Sequence, residues 1–132
     1  MSAYIAMVKS GDFVAVMREF YHLDAKVHEN RKRPRVGRDA LVANEERARA
    51  NTRSIRATVL EAFHGGGDDV AIHSVYEIVE KDGRAWTFDE MSLQRWRGDR
   101  IAEEFFFYDP GQRKTQVIPA AADAATGRDP GS

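Results

Sequence analysis

The first twenty residues repeat their apolar positions with the period of an α-helix. The positions i, i+3, i+4 and i+7 of one stripe are occupied by Phe13, Val16, Met17 and Phe20. Asp12 stands directly before this stripe, where its carboxylate can accept hydrogen bonds from the first helical turn. Ser10 and Gly11 interrupt the pattern, and a shorter apolar stretch precedes them. We therefore predict two consecutive helices.

The next segment, residues 24–37, is polar and contains Pro34 and Gly37, so it cannot continue the helix. We interpret it as a short strand over residues 25–29 followed by a basic turn. Residues 38 to about 53 are rich in alanine and place glutamates three or four positions before an arginine. This segment is predicted to form a third helix.

From Ser54 onward the hydrophobic period changes from 3.6 to 2, which is typical of strands. Strands are predicted over residues 58–64, 70–80, 84–97 and 100–108, with glycine-containing turns between them. Four strands joined by short turns form an antiparallel meander. The order α-α-β-α-β-β-β-β predicts an α+β fold with helices on one face of one sheet.

The composition narrows the class of protein. A chain of 132 residues fits one domain, which we place at 1–111, and the polar, alanine-rich segment 112–132 is predicted to be a mobile tail. The absence of cysteine excludes a thiol nucleophile and thiolate metal sites, and the balance of 20 basic and 21 acidic residues argues against nucleic-acid binding. Because no apolar run can span a bilayer and no signal peptide is visible, we expect a cytoplasmic protein without membrane contact.

Two segments resemble a known family. Residues 94–110, Gln-Arg-Trp-Arg-Gly-Asp-Arg-Ile-Ala-Glu-Glu-Phe-Phe-Phe-Tyr-Asp-Pro, are similar to the closing hairpin of SnoaL-like proteins in the nuclear transport factor two-like, or ketosteroid-isomerase-like, superfamily. Residues 20–30 look like that family's first helix and following strand. The resemblance covers residues 4–110. It implies a curved antiparallel sheet wrapped into a cone around the helices, with a pocket for a small hydrophobic molecule and a homodimer through the outer sheet face.

The alternation of side chains separates two faces of the strand at 84–97, and both faces carry apolar bulk. By resemblance to ketosteroid isomerases, one of these faces and the alternate residues of the last strand point into the pocket. An inward lining of aromatic rings with a few carboxylates suits a small hydrophobic ligand. The predicted substrate-binding residues are Trp86, Phe88, Ser92, Glu104, Phe106 and Tyr108.

The resemblance also implies catalytic roles. Tyr4 falls at the tyrosine that donates to the developing oxyanion in the isomerases, and Glu29 falls about where those enzymes place their general base. Ser92 occupies the position of their second oxyanion donor, an aspartic acid, and this departure argues against steroid isomerisation itself. Glu90, one step away on the same face, is the candidate that could substitute for that donor.

Each of these residues has a structural alternative. Tyr4 could pack in the core with its hydroxyl at the surface, Glu29 could form a surface ion pair, and Glu90 could form a buried pair with an arginine or histidine. The four histidines have no metal-ligand spacing, so neither a metal nor a cofactor is predicted.

The leading hypothesis is therefore a SnoaL-like protein that binds a small hydrophobic molecule and performs cofactor-free acid–base chemistry of the isomerase or cyclase kind. The first alternative is a non-catalytic ligand-binding or dimerisation module of the same fold. The second is a hydrolase resembling epoxide hydrolases, which is disfavoured because Arg95 lies on the outward face of its strand.

Overall fold

Two short helices begin the chain, as the apolar pattern predicted. A computed structural model describes residues 1–112, in which α1 spans Ser2–Ser10 and α2 spans Phe13–Phe20. Gly11 ends α1 in the left-handed conformation, with φ of 82°. A Cβ atom there would also lie 3.1 Å from the carbonyl oxygen of Ile55, so glycine is required twice over. The carboxylate of Asp12 then accepts from the backbone N–H of Ala15 at 3.0 Å and caps α2.

The remaining elements build one six-stranded sheet and a third helix. In chain order they are β1 Tyr21–Glu29, β2 Arg35–Val36, α3 Arg38–Ala50, β3 Thr52–His64, β4 Asp69–Glu80, β5 Ala85–Arg97 and β6 Arg100–Phe107. The strand order in the sheet is β2-β1-β6-β5-β4-β3. Strands β3 to β6 form the predicted antiparallel meander, and the α+β class is confirmed.

One strand pair differs from the antiparallel expectation. Strand β1 lies parallel to β6, so the sheet is mixed, and the predicted basic turn contains the short antiparallel strand β2. The N–H of Gly37 donates to the carbonyl of Ala25 at 2.8 Å and closes that hairpin. The sheet is curved and does not close into a barrel.

Several element ends also differ from the pattern. Helix α3 ends at Ala50, and β3 begins at Thr52, well before the predicted residue 58. The register between β3 and β4 shifts at both Thr52/Ser54 and Val59/Glu61. Because each shift moves side chains to the other face, the alternation on which the prediction relied is broken there.

A similar irregularity determines which face of the sheet Ile101 lies on. Simple alternation places it outward with Phe105, but the register between β5 and β6 shifts between Arg95 and Trp96. The shift turns Ile101 inward, where it is fully buried in the core.

The helices pack on the inner face of the sheet and form the core at one end of it. The core residues are Tyr4, Val8, Val16, Tyr21, Ala25, Val27, Leu41, Ala57, Val70, Ile72 and Ile101. Residues 113–132, nearly all of the predicted tail, lie outside the described residues.

The cap of α2 provides a test of this helical start. Replacing Asp12 by alanine is expected to lower the free energy of unfolding by about 1 kcal/mol, because the first-turn N–H of Ala15 loses its acceptor. Urea denaturation measures this quantity. Asp12→Ser, which keeps a capping oxygen, should recover most of the loss, and equal destabilisation by both variants would contradict the capping role.

Candidate functional site

A cavity of about 470 Å³ lies between the helices and the inner face of the sheet. Its volume is within the range of small-molecule sites. The helices supply mainly apolar side chains together with Tyr4, Phe13 and Glu45, and the strands supply further aromatic rings and carboxyl groups. The sheet residues in the lining include Glu29, Arg35, Val59, Ile72, Ser74, Tyr76, Ile78, Glu80, Trp86, Phe88, Glu90, Ser92 and Phe106.

The cavity brings together most of the residues singled out in the sequence. The lining contains all three candidate catalytic residues, Tyr4, Glu29 and Glu90, together with Trp86, Phe88, Ser92 and Phe106. Glu104 and Tyr108 are not in the lining. Glu104 is fully buried, and Tyr108 contacts the lining residues Glu29 and Phe88.

Glu29 is held at the end of β1 by three polar neighbours. Its Oε2 accepts from the hydroxyl of Tyr108 at 2.9 Å, and its Oε1 lies 3.7 Å from both Lys32 Nζ and Arg35 Nη1. The side chain keeps 28% of its surface exposed. Glu29 therefore combines the predicted cavity position with the ion pairs of the structural alternative.

Asn30 fixes the position of this carboxylate. It adopts a left-handed conformation with φ of 52°, which asparagine tolerates better than most residues. Its N–H donates to the carbonyl of Phe106 at 2.8 Å, and its side-chain oxygen accepts from the N–H of Tyr108 at 3.1 Å. The end of β1 is thereby joined to β6, and Glu29 is brought beside Tyr108.

Glu90 lies in the middle of β5, opposite Ser74 of β4. Burial raises the pKa of its carboxyl to about 8, and the negative charges of Glu104 and Glu29 contribute, while a hydrogen bond with Tyr76 opposes the rise. Within residues 1–112, Glu90 forms no ion pair with an arginine or a histidine, which was the structural alternative for this residue. At pH 7 this carboxyl is mainly protonated and can donate a hydrogen bond into the cavity.

A chain of hydrogen bonds lies below the cavity and ends at Tyr4. The amide nitrogen of Gln94 donates to the hydroxyl of Tyr4 at 2.8 Å and to Oε2 of Glu104 at 2.7 Å. The hydroxyl of Tyr21 donates to the other oxygen of Glu104. Burial raises the pKa of Glu104 to about 7, although both hydrogen bonds lower it. The pKa of Tyr4 is raised well above its usual value, mainly by burial, so this phenol stays protonated.

Stacked rings form one wall of the cavity. The ring of Phe88 lies between those of Tyr76 and Trp86, with centroids 5.1 Å apart in each pair. Tyr108 contacts the same ring at 5.4 Å from the side of β6. Such a wall provides flat apolar surface for a planar or cyclic ligand.

Three functional candidates were missed in the sequence. Alternation along β5 predicts that Gln94 points inward but gives it no role. The sequence alone does not identify Tyr21 or Tyr76 as candidates. Alternation along β4 carries a signal for Tyr76, because it lies two residues from Ser74 on the same face. Tyr21 has no such signal, since its partner Glu104 is distant in sequence.

Other kinds of site receive no support within residues 1–112. This part of the chain contains no cluster of three His, Asp or Glu residues that could hold a metal ion. Arg95 is outside the cavity and lies 3.5 Å from Glu103. No helix in the described part of the chain is long and apolar enough to cross a membrane. The cytoplasmic location stays a prediction.

The sequence matches the model of the SnoaL-like domain family over residues 1–104. This match covers most of the chain, and the protein therefore belongs to the SnoaL-like family. The predicted family and cone fold are thereby confirmed. No curated protein matches the sequence.

Solved structures show the same fold at low sequence identity. A hypothetical protein with a ketosteroid isomerase-like fold from Catenulispora acidiphila, in complex with trimethylamine, is 21% identical and aligns with a TM-score of 0.75, covering 91% of this chain and 93% of that one. IdmH, a candidate polyketide cyclase from Streptomyces antibioticus, is 22% identical with a TM-score of 0.71, and the coverage is 87% and 93%. A candidate polyketide cyclase from Pseudomonas putida is 16% identical with a TM-score of 0.72, and the coverage is 89% and 94%.

The raised pKa values of Glu90 and Glu104 predict that stability falls as the pH rises. The folded state holds protons on Glu90 and Glu104 up to pH values of about 8 and 7, whereas an unfolded carboxyl loses its proton near 4.5. Between these limits the folded state binds more protons, so the free energy of unfolding decreases with pH. Each pKa unit corresponds to about 1.4 kcal/mol, and the melting temperature is expected to fall by several degrees between pH 5.5 and 8.5.

Thermal denaturation of Glu90→Gln across this pH range checks the expectation. The variant should show a shallower fall in melting temperature, because a group that binds the extra proton has been removed. Glu77→Gln, which changes a carboxyl in an exposed ion pair with Arg56 on the neighbouring strand, is the matched control and should keep the wild-type slope. An unchanged slope in Glu90→Gln would contradict the assignment.

Proposed function

We propose that this protein binds a small, mainly apolar molecule with a carbonyl group in its cavity and catalyses cofactor-free proton transfer, as in an isomerisation or cyclisation. In this proposal Glu29 accepts a proton from the carbon next to the carbonyl. Tyr4 and Glu90 donate hydrogen bonds to the carbonyl oxygen. The aromatic wall around Phe88 holds the rest of the ligand.

The observation that carries the proposal is the different environment of two carboxyl groups on one cavity wall. The carboxylate oxygens of Glu29 lie beside the ammonium of Lys32, the guanidinium of Arg35 and the hydroxyl of Tyr108. Glu90 has a pKa of about 8 and is mainly a neutral acid at pH 7. A carboxylate that can accept a proton, with a neutral acid that can donate a hydrogen bond in the same cavity, is the arrangement that acid–base catalysis requires.

The reaction step follows from these roles. The C–H bond beside the carbonyl breaks, its proton moves to Glu29, and the electron pair moves into a carbon–carbon double bond to give an enolate. The negative charge on the enolate oxygen is stabilised by the donors Tyr4 and Glu90. Return of the proton to another carbon completes an isomerisation. In a cyclisation the enolate carbon attacks a second carbonyl carbon and closes a ring, the π electrons of that carbonyl move to its oxygen, and the resulting alkoxide takes the proton back from Glu29.

The names of similar structures agree with such a ligand. IdmH and the protein from Pseudomonas putida are named as candidate polyketide cyclases, and polyketides contain several carbonyl groups. These structures share the fold at less than 25% identity, so the roles proposed for Tyr4, Glu29 and Glu90 depend on the geometry of this cavity.

Proton exchange on a simple ketone tests the chemistry without knowledge of the natural substrate. The wild-type protein is expected to accelerate exchange of the α-hydrogens of 1-tetralone, a bicyclic aryl ketone, for deuterium in D₂O, followed by NMR. Glu29→Gln should lower the catalysed rate by about 10²-fold or more, because the amide cannot accept the proton. Glu90→Gln and Tyr4→Phe should each lower it less, since another donor remains.

Glu103→Gln is the matched control, because Glu103 is paired with His28 and lies outside the cavity lining. This variant should exchange at the wild-type rate. Equal rates in the wild type and in Glu29→Gln would contradict the role of Glu29, and absence of exchange by the wild type would contradict catalysis on this class of ketone.

A second candidate function is ligand binding without turnover. The observation that favours it is the number of partners around Glu29, because a carboxylate whose oxygens already contact Tyr108, Lys32 and Arg35 has fewer lone pairs free to meet a substrate. In that case 1-tetralone should bind with the same affinity to the wild type and Glu29→Gln, and neither should exchange its hydrogens.

The homodimer predicted from the family resemblance is also a proposal. A row of neighbouring residues crosses the outer face of the sheet: Phe63, Ala71, Leu93, Phe105 and His28. Phe63 is 49% exposed, and Phe107 next to this row is also 49% exposed. Exposed rings of this kind mark a surface that a second copy of the chain can cover.

The double variant Phe63→Lys/Phe107→Lys tests this surface. We expect the wild type to elute as a dimer in size-exclusion chromatography with light scattering, and the double variant to show half its mass. Leu23→Lys, at a residue that is 64% exposed and outside the row, should remain dimeric. A monomeric wild type, or a dimeric double variant, would contradict the proposed interface.

A further inference from the structure

The side-chain amide of Gln94 has one orientation that satisfies all its neighbours. The indole Nε1 of Trp96 lies 3.0 Å from its Oε1, and an indole N–H can only donate. The amide oxygen must therefore face Trp96, which leaves the two N–H groups for Tyr4 and Glu104. Gln94 is fully buried, so each of these bonds is made without competition from solvent.

This orientation determines how the hydroxyl of Tyr4 is used. Because the hydroxyl oxygen accepts from Gln94, its own hydrogen must point in another direction. Tyr4 lies in the cavity lining, and its ring is fixed by edge contacts with Phe20 and Trp96 at centroid distances of 5.5 and 5.7 Å. The hydrogen can therefore be donated to a molecule in the cavity.

Glu104 keeps the amide of Gln94 from reversing. One of its carboxylate oxygens accepts from Gln94 and the other from Tyr21, and the side chain has no exposed surface. A reversed amide would place its oxygen against the carboxylate and its N–H groups against the indole N–H. The contact with the indole is repulsive in every protonation state, and the contact with Glu104 is repulsive when that carboxyl is ionised, so Trp96 and Glu104 hold the amide from opposite sides.

We propose that Gln94 is a positioning residue, which Trp96 and Glu104 orient so that Tyr4 presents its hydroxyl hydrogen to the carbonyl oxygen of a ligand in the cavity. This inference rests on the proposed function, in which Tyr4 contacts that oxygen. It also predicts which ligands bind. A ligand with a hydrogen-bond acceptor next to Tyr4 is favoured, because a ligand N–H or O–H there would face the hydroxyl hydrogen of Tyr4.

The substitution Gln94→Glu tests the orientation with almost no change in side-chain volume. A glutamate at this position has no N–H group, so the hydroxyl of Tyr4 loses its donor and can instead donate to the new carboxyl. The hydrogen then turns away from the cavity. Gln94→Leu, which also removes the donor, is the second variant in case burial of another carboxyl beside Glu104 prevents folding.

The readout is the carbonyl stretching frequency of bound 1-tetralone, measured by isotope-edited infrared spectroscopy with a ¹³C-labelled carbonyl. A hydrogen bond lowers this frequency. We expect a lower frequency in the wild type than in Tyr4→Phe, and we expect Gln94→Glu to shift it to the Tyr4→Phe value. Gln94→Leu should raise it above the wild-type value, because the hydroxyl loses the donor that directs its hydrogen toward the ligand. Affinity for 1-tetralone should change by about tenfold or less, because a single neutral hydrogen bond is lost.

Arg97→Gln is the matched control on the same strand, since it removes an exposed ion pair with Asp24 and should leave the frequency unchanged. A wild-type frequency in both Gln94 variants, with a raised one in Tyr4→Phe, would overturn the role of Gln94 while leaving the proposed function intact. A wild-type frequency in Tyr4→Phe would instead show that Tyr4 does not contact the carbonyl, and both proposals would fail on that point.

Discussion

The burial of Glu104 is the constraint on which the inner side of the protein depends. A carboxyl group without solvent contact must find hydrogen-bond donors nearby, and here Tyr21 and Gln94 provide one for each oxygen. These partners in turn are fixed, since Gln94 is joined to both Tyr4 and Trp96. The cavity therefore lies above a hydrogen-bonded polar layer, and the phenol of Tyr4 in its lining is held by Gln94, which is not itself in the lining.

The same face of the sheet serves as both core and cavity wall. At the end where α1 and α2 pack, inward residues such as Ile101 and Ala25 are fully buried against helices. Farther along β4 and β5, the inward rings of Tyr76 and Phe88 line the cavity. The helices are short and α2 ends at Phe20, so they cover only part of a sheet whose longest strands have 13 residues. The space that remains between the helices and this part of the sheet is the cavity.

The sequence predicts the elements better than it predicts their contacts. Local signals such as the Asp12 cap and the Gly11 break determine the helical start, and alternation along β5 places Glu90 and Ser92 on the cavity side. The parallel pairing of β1 with β6 and the inward turn of Ile101 arise from long-range register and a bulge, which local periodicity does not encode. The same is true of Glu104, because alternation predicts its face of the sheet but not its hydrogen bond with Tyr21, which is distant in sequence.

Glu104 also influences the carboxyl of Glu90 across the sheet. Burial is the main cause that raises the pKa of Glu90, and the negative charge of Glu104 adds to it. An ionised Glu104 below the cavity therefore favours the neutral form of Glu90 in the cavity lining. The bonds from Tyr21 and Gln94 act in the opposite direction on Glu104 itself, because they stabilise its charged form. Hydrogen bonding of one carboxyl thus promotes protonation of the other. Burial of Glu90 and this coupling together place a mainly protonated carboxyl in the cavity, at the inward position next to Ser92.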